Sequence, residues 1–150
     1  MVGSYLKYLS RNNKNIVSFG KNDINFEDFD QLRYCIKKNT PDIIVNAAAY
    51  TNVALAQKEK EKSFVINSEA VRIISEEVEK LNSLLIHYST DYIFDGNKNS
   101  PYDEEDSACP LQVYGESKLK GEKYIKSINC NYLILRTSWV YSENGSNFLT

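Results

Sequence analysis

Short apolar runs alternate along the chain with longer stretches of helical period. Residues 16–19, 43–48, 84–89 and 132–137 read as strands, each a compact apolar run rich in Ile, Val, Leu and Tyr. Between them the clearest helical pattern places Val71, Ile74, Val78 and Leu81 on one face, with Glu and Lys opposite. Each parallel return needs a crossover of a dozen or more residues, so this alternation predicts an α/β, doubly wound parallel sheet covered by helices. In such a sheet ligands sit beyond the carboxyl ends of the strands, and chemistry is sought just after each apolar run.

Three strand ends carry polar sequences of that kind: Asn46-Ala47-Ala48-Ala49-Tyr50-Thr51, Ser89-Thr90-Asp91-Tyr92 and Arg136-Thr137-Ser138-Trp139. Residues 94–110, rich in Gly, Asn, Asp and Pro, read as a long loop, and loops of that length in compact domains usually carry function.

Composition narrows the classes. At 150 residues the length suits one domain, and 42% apolar and 25% charged residues with a formal charge of −2 point away from disorder, nucleic acid and membrane surfaces. A small molecule or another protein is the expected partner. Cys35, Cys109 and Cys130 lie far apart with no second Cys or His at ligand spacing, so they read as reduced thiols of a cytoplasmic protein. No apolar run reaches the length of a membrane span, and the first residues lack a secretory apolar core.

Tyr114 and Lys118 stand at i and i+4 and share a helix face. The spacing alone is weak, because Tyr34 and Lys38 repeat it, and most such pairs are a solvated face. The second pair differs in following the long loop and a strand that ends at Thr90. A free phenol has a pKa of about 10, and a neighbouring ammonium lowers it. Reduction of a carbonyl needs a proton donor and a second hydrogen bond at the oxygen, roles that suit Tyr114 and Thr90. His87, the only histidine, lies within a strand run and is expected in the core or on the sheet. The acidic run Asp103, Glu104, Glu105 and Asp106 reads as a solvated loop, with no metal expected.

Taken together, residues 89–96, then Pro101-Tyr102, Glu104, Asp106 and Pro110, then Tyr114-Gly115, Ser117-Lys118 and Gly121-Glu122 resemble the dTDP-4-dehydrorhamnose reductase family of extended short-chain dehydrogenase/reductases in order and spacing. The stretches at 46–51 and 135–141 extend the resemblance over nearly the whole chain. It implies a Rossmann-type NAD(P)-binding fold and hydride transfer from NADPH or NADH to the C4 keto group of a dTDP-4-keto-6-deoxy sugar. It implies Thr90, Tyr114 and Lys118 as catalytic residues, with Lys118 also on the nicotinamide ribose. Asp91 and Trp139 would meet the sugar, and Ala47, Ala48 and Ala49 the cofactor, where small side chains let a flat ligand approach the backbone. Three alanines packing a strand against a helix would look the same. Asp23 matches the position beside the adenine, and is equally an Asp before a helical pattern, an N-cap. Gly20 and Lys21, where an acidic residue would select NADH, lean toward NADPH.

The same resemblance sets out departures. The first strand and Gly-rich turn are missing, Gly3 fits the last glycine of that turn, and residues 147–150 end before most of the substrate lobe. Residues 1–150 are therefore expected to form a partial NAD(P)-binding domain that binds cofactor poorly alone. Ala54 and Gln57 stand where the family commonly has acidic residues. Two other classes stay open: a non-catalytic NADP-binding regulatory subunit resembling that of methionine adenosyltransferase, and an inactive remnant. The nucleotide-sugar substrate is the expected partner, and a homodimer is left open.

Overall fold

A computed structural model describes residues 2–11 and 13–141; the chain end at 147–150 lies outside the described residues. Its sheet has three parallel strands in the order β1 (Ile43–Asn46), β2 (Leu84–Thr90) and β3 (Asn131–Thr137). Ile43 pairs with Leu84 and Leu84 with Asn131, so the three strand starts are level; β2 and β3 end together at Thr90 and Thr137, while β1 ends opposite His87. The crossovers run through α5 (Ala70–Leu81), reached by way of α3 (Val53–Ala56) and α4 (Lys60–Phe64), and through α6 (Val113–Ser127).

The helices form where the pattern demands. α5 buries Val71, Ile74 and Val78 of the four positions expected, with Leu81 partly buried against the core, and closes at Asn82 in the left-handed region with φ 52°. Before it, α2 (Phe29–Asn39) contributes Leu32 and Ile36 to the core, which continues through Ile73, Leu85 and Ile125. The Asp28 side chain caps α2 by accepting the Gln31 N–H at 2.9 Å. Asp23, read either as the residue beside the adenine or as an N-cap, caps no helix: it accepts the Gly20 N–H at 2.7 Å and closes its own turn.

Three expectations are corrected. Residues 16–19 form no strand: the Ile16 N–H bonds the Asn13 carbonyl in a turn, and Ile16, Val17 and Phe19 are exposed. A strand exists only where a neighbour supplies ladder partners, and β1 bonds β2 alone among the described strands. Gly3 sits in α1 (Val2–Ser10), which buries none of its residues, and nothing lies within 4 Å of a Cβ placed on it. The last glycine of such a turn permits close helix packing, and Gly3 makes none among the described residues. Strand β1 also stops at Asn46, two residues short, because Ala47 onward leaves the ladder.

Between α4 and α5 the chain makes a π-helical turn over Val65–Glu69. Such turns concentrate at functional sites, since the inserted residue re-aims a side chain. Here it carries Asn67, which is buried.

Candidate active site

Helix α6 reaches the strand ends because two glycines let it. A Cβ on Gly115 would stand 2.1 Å from the Tyr92 carbonyl oxygen, and one on Gly121 would stand 2.4 Å from that of Asn67. No other residue fits so close to backbone. Helix α6 opens at Val113, whose N–H is accepted by Gln57 at 3.2 Å, so the amide that replaces an acidic residue serves as a remote cap.

This seating places Tyr114 against the turn after β2. Its ring meets that of Tyr92 edge to face at 5.8 Å, and its phenol faces the Thr90 hydroxyl. Thr90 accepts the Tyr92 N–H and bonds Asp91 Oδ1, both at 3.2 Å, which holds its side chain at the strand tip. Burial raises the Tyr114 pKa; Thr90 opposes this and Asp91 and Tyr92 add to it. The expected acidification of Tyr114 by Lys118 is not found. The Lys118 nitrogen is occupied elsewhere, donating to the Tyr88 carbonyl at 2.6 Å and lying 3.2 Å from His87 Nε2. Burial lowers Lys118 to about 8, against the pull of Glu122.

Beside β1, Ala47 and Ala49 are half-buried and Ala48 exposed. The strip they begin is pinned by Asn67: its Oδ1 accepts the Tyr50 N–H at 2.8 Å and its Nδ2 donates to the Tyr50 carbonyl at 3.1 Å. The same amide nitrogen reaches Ser117 Oγ on α6 at 3.0 Å. One side chain from the π turn thus ties the alanine strip to the helix bearing Tyr114 and Lys118.

Ser89, on the opposite side of Thr90 from Asp91, donates to Glu122 Oε1 at 2.5 Å, and Arg136 of β3 grips the same carboxylate with Nη2 2.8 Å from Oε2. A cleft of about 1020 Å³ opens beside this pair, between β3 and the loop after β2, lined by Asp91, Tyr102, Asp103, Glu104 and Arg136 among others. Neither Tyr114 nor Lys118 lines it. The loop keeps its shape through Phe94 stacked on Tyr102 at 4.2 Å and Lys98 paired with Asp106.

The structure sets Tyr114 beside Thr90 at the tip of β2, seats the Lys118 nitrogen on Tyr88 and His87 within the same strand, and starts the alanine strip where β1 ends. Asp91 is exposed at the cleft and Trp139 is exposed after β3. Gly3 and Asp23 are exposed on the segment before α2. Tyr34 and Lys38 form the solvated face expected of them, with the ammonium 5.9 Å from the exposed ring. Sequence reading missed Asn46, Asn67, Ser117 and the Glu122–Arg136 pair. Asn46 offered one signal, an amide between a strand and three small residues; Asn67 offered none, since helical period hides a π turn.

The model of the RmlD substrate binding domain matches residues 1–150. A dTDP-4-dehydrorhamnose reductase of Sinorhizobium fredii is 43% identical over 144 residues, 96% of this chain and 49% of its own length. The Escherichia coli reductase of that name is 44% identical over 123 residues, 82% of this chain and 41% of its own. The crystal structure of the Bacillus anthracis dTDP-4-dehydrorhamnose reductase in complex with NADP superposes with a TM-score of 0.88 at 33% identity, covering 96% of this chain and 53% of that one. The chain spans about half the length of these relatives.

Proposed function

The chain belongs to the RmlD substrate binding domain family, that of the dTDP-4-dehydrorhamnose reductases, and from that membership we propose that it forms the cofactor-binding part of a reductase acting on the C4 keto group of a dTDP-4-keto-6-deoxy sugar. The observation that carries the reading is the Tyr114 phenol beside the Thr90 hydroxyl at the tip of β2. Its raised pKa keeps the phenol protonated at neutral pH. Tyr114 gives that proton to the ketone oxygen while Thr90 holds the oxygen by a second hydrogen bond. Curated relatives named as reductases favour this over a regulatory subunit.

A bound NADPH or NADH supplies the hydride, with Gly20 and Lys21 favouring NADPH. The residues present fit that group. The small Ala47, Ala48 and Ala49 leave backbone open to a flat ring, and Tyr114 and Lys118 stand on the helix across from them. Asp91, at the cleft, and Trp139 orient the sugar.

Oxidation of reduced nicotinamide by the protein in the presence of dTDP-4-dehydro-L-rhamnose tests the reading. Turnover that disappears in Tyr114→Phe supports it. No turnover with either cofactor by the whole reductase that contains this chain, or full turnover in its variant, overturns it.

A further inference from the structure

Residues 94–106 build one wall of the cleft, and among the described residues their side-chain hydrogen bonds close on the loop itself. Tyr102 donates its hydroxyl to Asp95 at 2.8 Å, the Asn97 and Asp103 N–H groups go to Asp95 and Asp106, and Lys98 pairs with Asp106. Bonds of this kind give the loop a shape without fixing where it stands. The Phe94 ring reaches outward: stacked on Tyr102 at 4.2 Å, it also lies under the Arg136 guanidinium, whose carbon is 5.4 Å from the ring centre. At that distance the π face attracts a cation. Arg136 is itself fixed, with Nε and Nη2 donating to the two oxygens of Glu122 at 3.2 and 2.8 Å, and that carboxylate is 1% exposed. A planar guanidinium can present an edge to a carboxylate and a face to a ring at once, and an ammonium has no such plane. Ser89, the ladder partner of Arg136, donates to the same Glu122 at 2.5 Å and immediately precedes Thr90.

We propose that Arg136 is a positioning residue that fastens the loop of residues 94–106, through Phe94, to the buried Glu122 carboxylate, and so sets the wall of the cleft at a fixed distance from Thr90. Glu122 and, after it, Glu104 of the loop raise the Arg136 pKa against its burial, so the guanidinium keeps its charge. One carboxylate thus anchors both the strand tip that carries Thr90 and the arginine that carries the loop. The inference deepens the proposed reductase reading and rests on it for the ligand. A wall already in place restricts how a sugar lies beside Thr90, whereas a loose one must be ordered on binding, at a cost in affinity. The effect of Arg136 is therefore exerted through the loop, on the sugar and not on the cofactor.

Two substitutions cut the link at different points. Phe94→Leu removes the ring and leaves the Arg136–Glu122 pair, while Arg136→Lys keeps a positive charge beside Glu122 and removes the plane that faces the ring. Trypsin cleavage after Lys98, timed against the other cuts of the same digest, reports opening of the loop in this chain. Each variant should speed that cut by roughly three- to tenfold, and the double variant should add little to the faster single one. Unchanged rates, or a double variant whose gain is the product of the two single gains, overturn the proposal. If Arg136→Lys does not fold, the rate in Phe94→Leu decides. In the whole reductase that contains this chain, either variant should raise KM for the nucleotide sugar by a similar factor and leave KM for the reduced cofactor within about twofold. An unmoved sugar KM, a cofactor KM that rises as much, or a fall in kcat alone overturns it. The cleavage rates report the loop directly, so they stand whether or not ketone turnover is observed.

Discussion

Gly121 packs so tightly beneath Asn67 that a methyl on its Cα would stand 2.4 Å from the Asn67 carbonyl oxygen. In an unconstrained helix interior, Gly→Ala stabilises by about 1 kcal/mol. Here the obstacle is backbone, which cannot rotate aside. Gly121→Ala should therefore destabilise by roughly 1 to 3 kcal/mol, as overpacking does. Gly3→Ala is the control: it too lies in a helix, with nothing within 4 Å, and should be neutral or mildly stabilising. Urea midpoints of the two variants check the contrast, and a raised midpoint for Gly121→Ala would contradict the close approach.

The Glu122 carboxylate, 1% exposed, is gripped by Arg136 and Ser89 and joins α6, β2 and β3. Removing one partner of a buried pair costs more than the pair contributes, because the survivor keeps its charge without compensation. The Arg136 side chain retains 19% exposure and water can reach it, whereas the carboxylate has almost none. Arg136→Ala should accordingly be the worse change, by roughly 3 kcal/mol or more, with Glu122→Ala milder. The double variant should lose less than the sum of the two. Additive losses in denaturant unfolding would mean that the pair is not coupled.

Much of this arrangement was legible in the residue order. Strands β2 and β3 and the buried face of α5 follow from apolar period, and Thr90 and Tyr114 follow from strand ends and motif order. What was not legible is what depends on contacts far apart in sequence. Residues 16–19 have the composition of a strand, but a strand also needs an adjacent ladder, which no local pattern encodes. Lys118 sits at the right spacing to act on Tyr114, yet the Tyr88 carbonyl and His87, on another element, take its nitrogen. Asn67 looks like any polar residue of a helix until the π turn aims it at Tyr50 and Ser117.

The pH dependence of stability follows from two buried groups, His87 and Lys118. His87 is held below its ordinary 6.5 in the folded chain, so under pH 6.5 the unfolded chain binds a proton that the folded one refuses. Stability from this group is complete above pH 6.5 and falls as pH drops below it. Lys118 acts with the same sign higher up: between about 8 and 10.5 the unfolded chain keeps a proton that the folded one has shed, so stability rises with pH across that window. The Lys118 contribution amounts to about 3 kcal/mol by the usual conversion. Urea unfolding from pH 5.5 to 10 should show both rises, and Lys118→Met should lose the upper one. An upper rise that persists unchanged in the variant would assign it to other groups.

Asn67 gives the sharpest separation of positioning from bulk stability. Its amide satisfies both the N–H and the carbonyl of Tyr50, the residue that follows the alanine strip, and also reaches Ser117 on α6. Asn67→Asp keeps the shape and the acceptor for the Tyr50 N–H but loses the donor to the Tyr50 carbonyl and to Ser117, and buries a charge. Asn67→Ala loses every bond. Asn67→Ala should free the strip and Asn67→Asp only loosen it, so amide exchange at Tyr50 should accelerate in Asn67→Ala and much less in Asn67→Asp. If residues 47–49 line the nicotinamide site, both variants should raise KM for the reduced cofactor more than they lower kcat, because Thr90 and Tyr114 keep their places on β2 and α6. Unaltered Tyr50 exchange in Asn67→Ala would mean that the strip is held by something other than this amide.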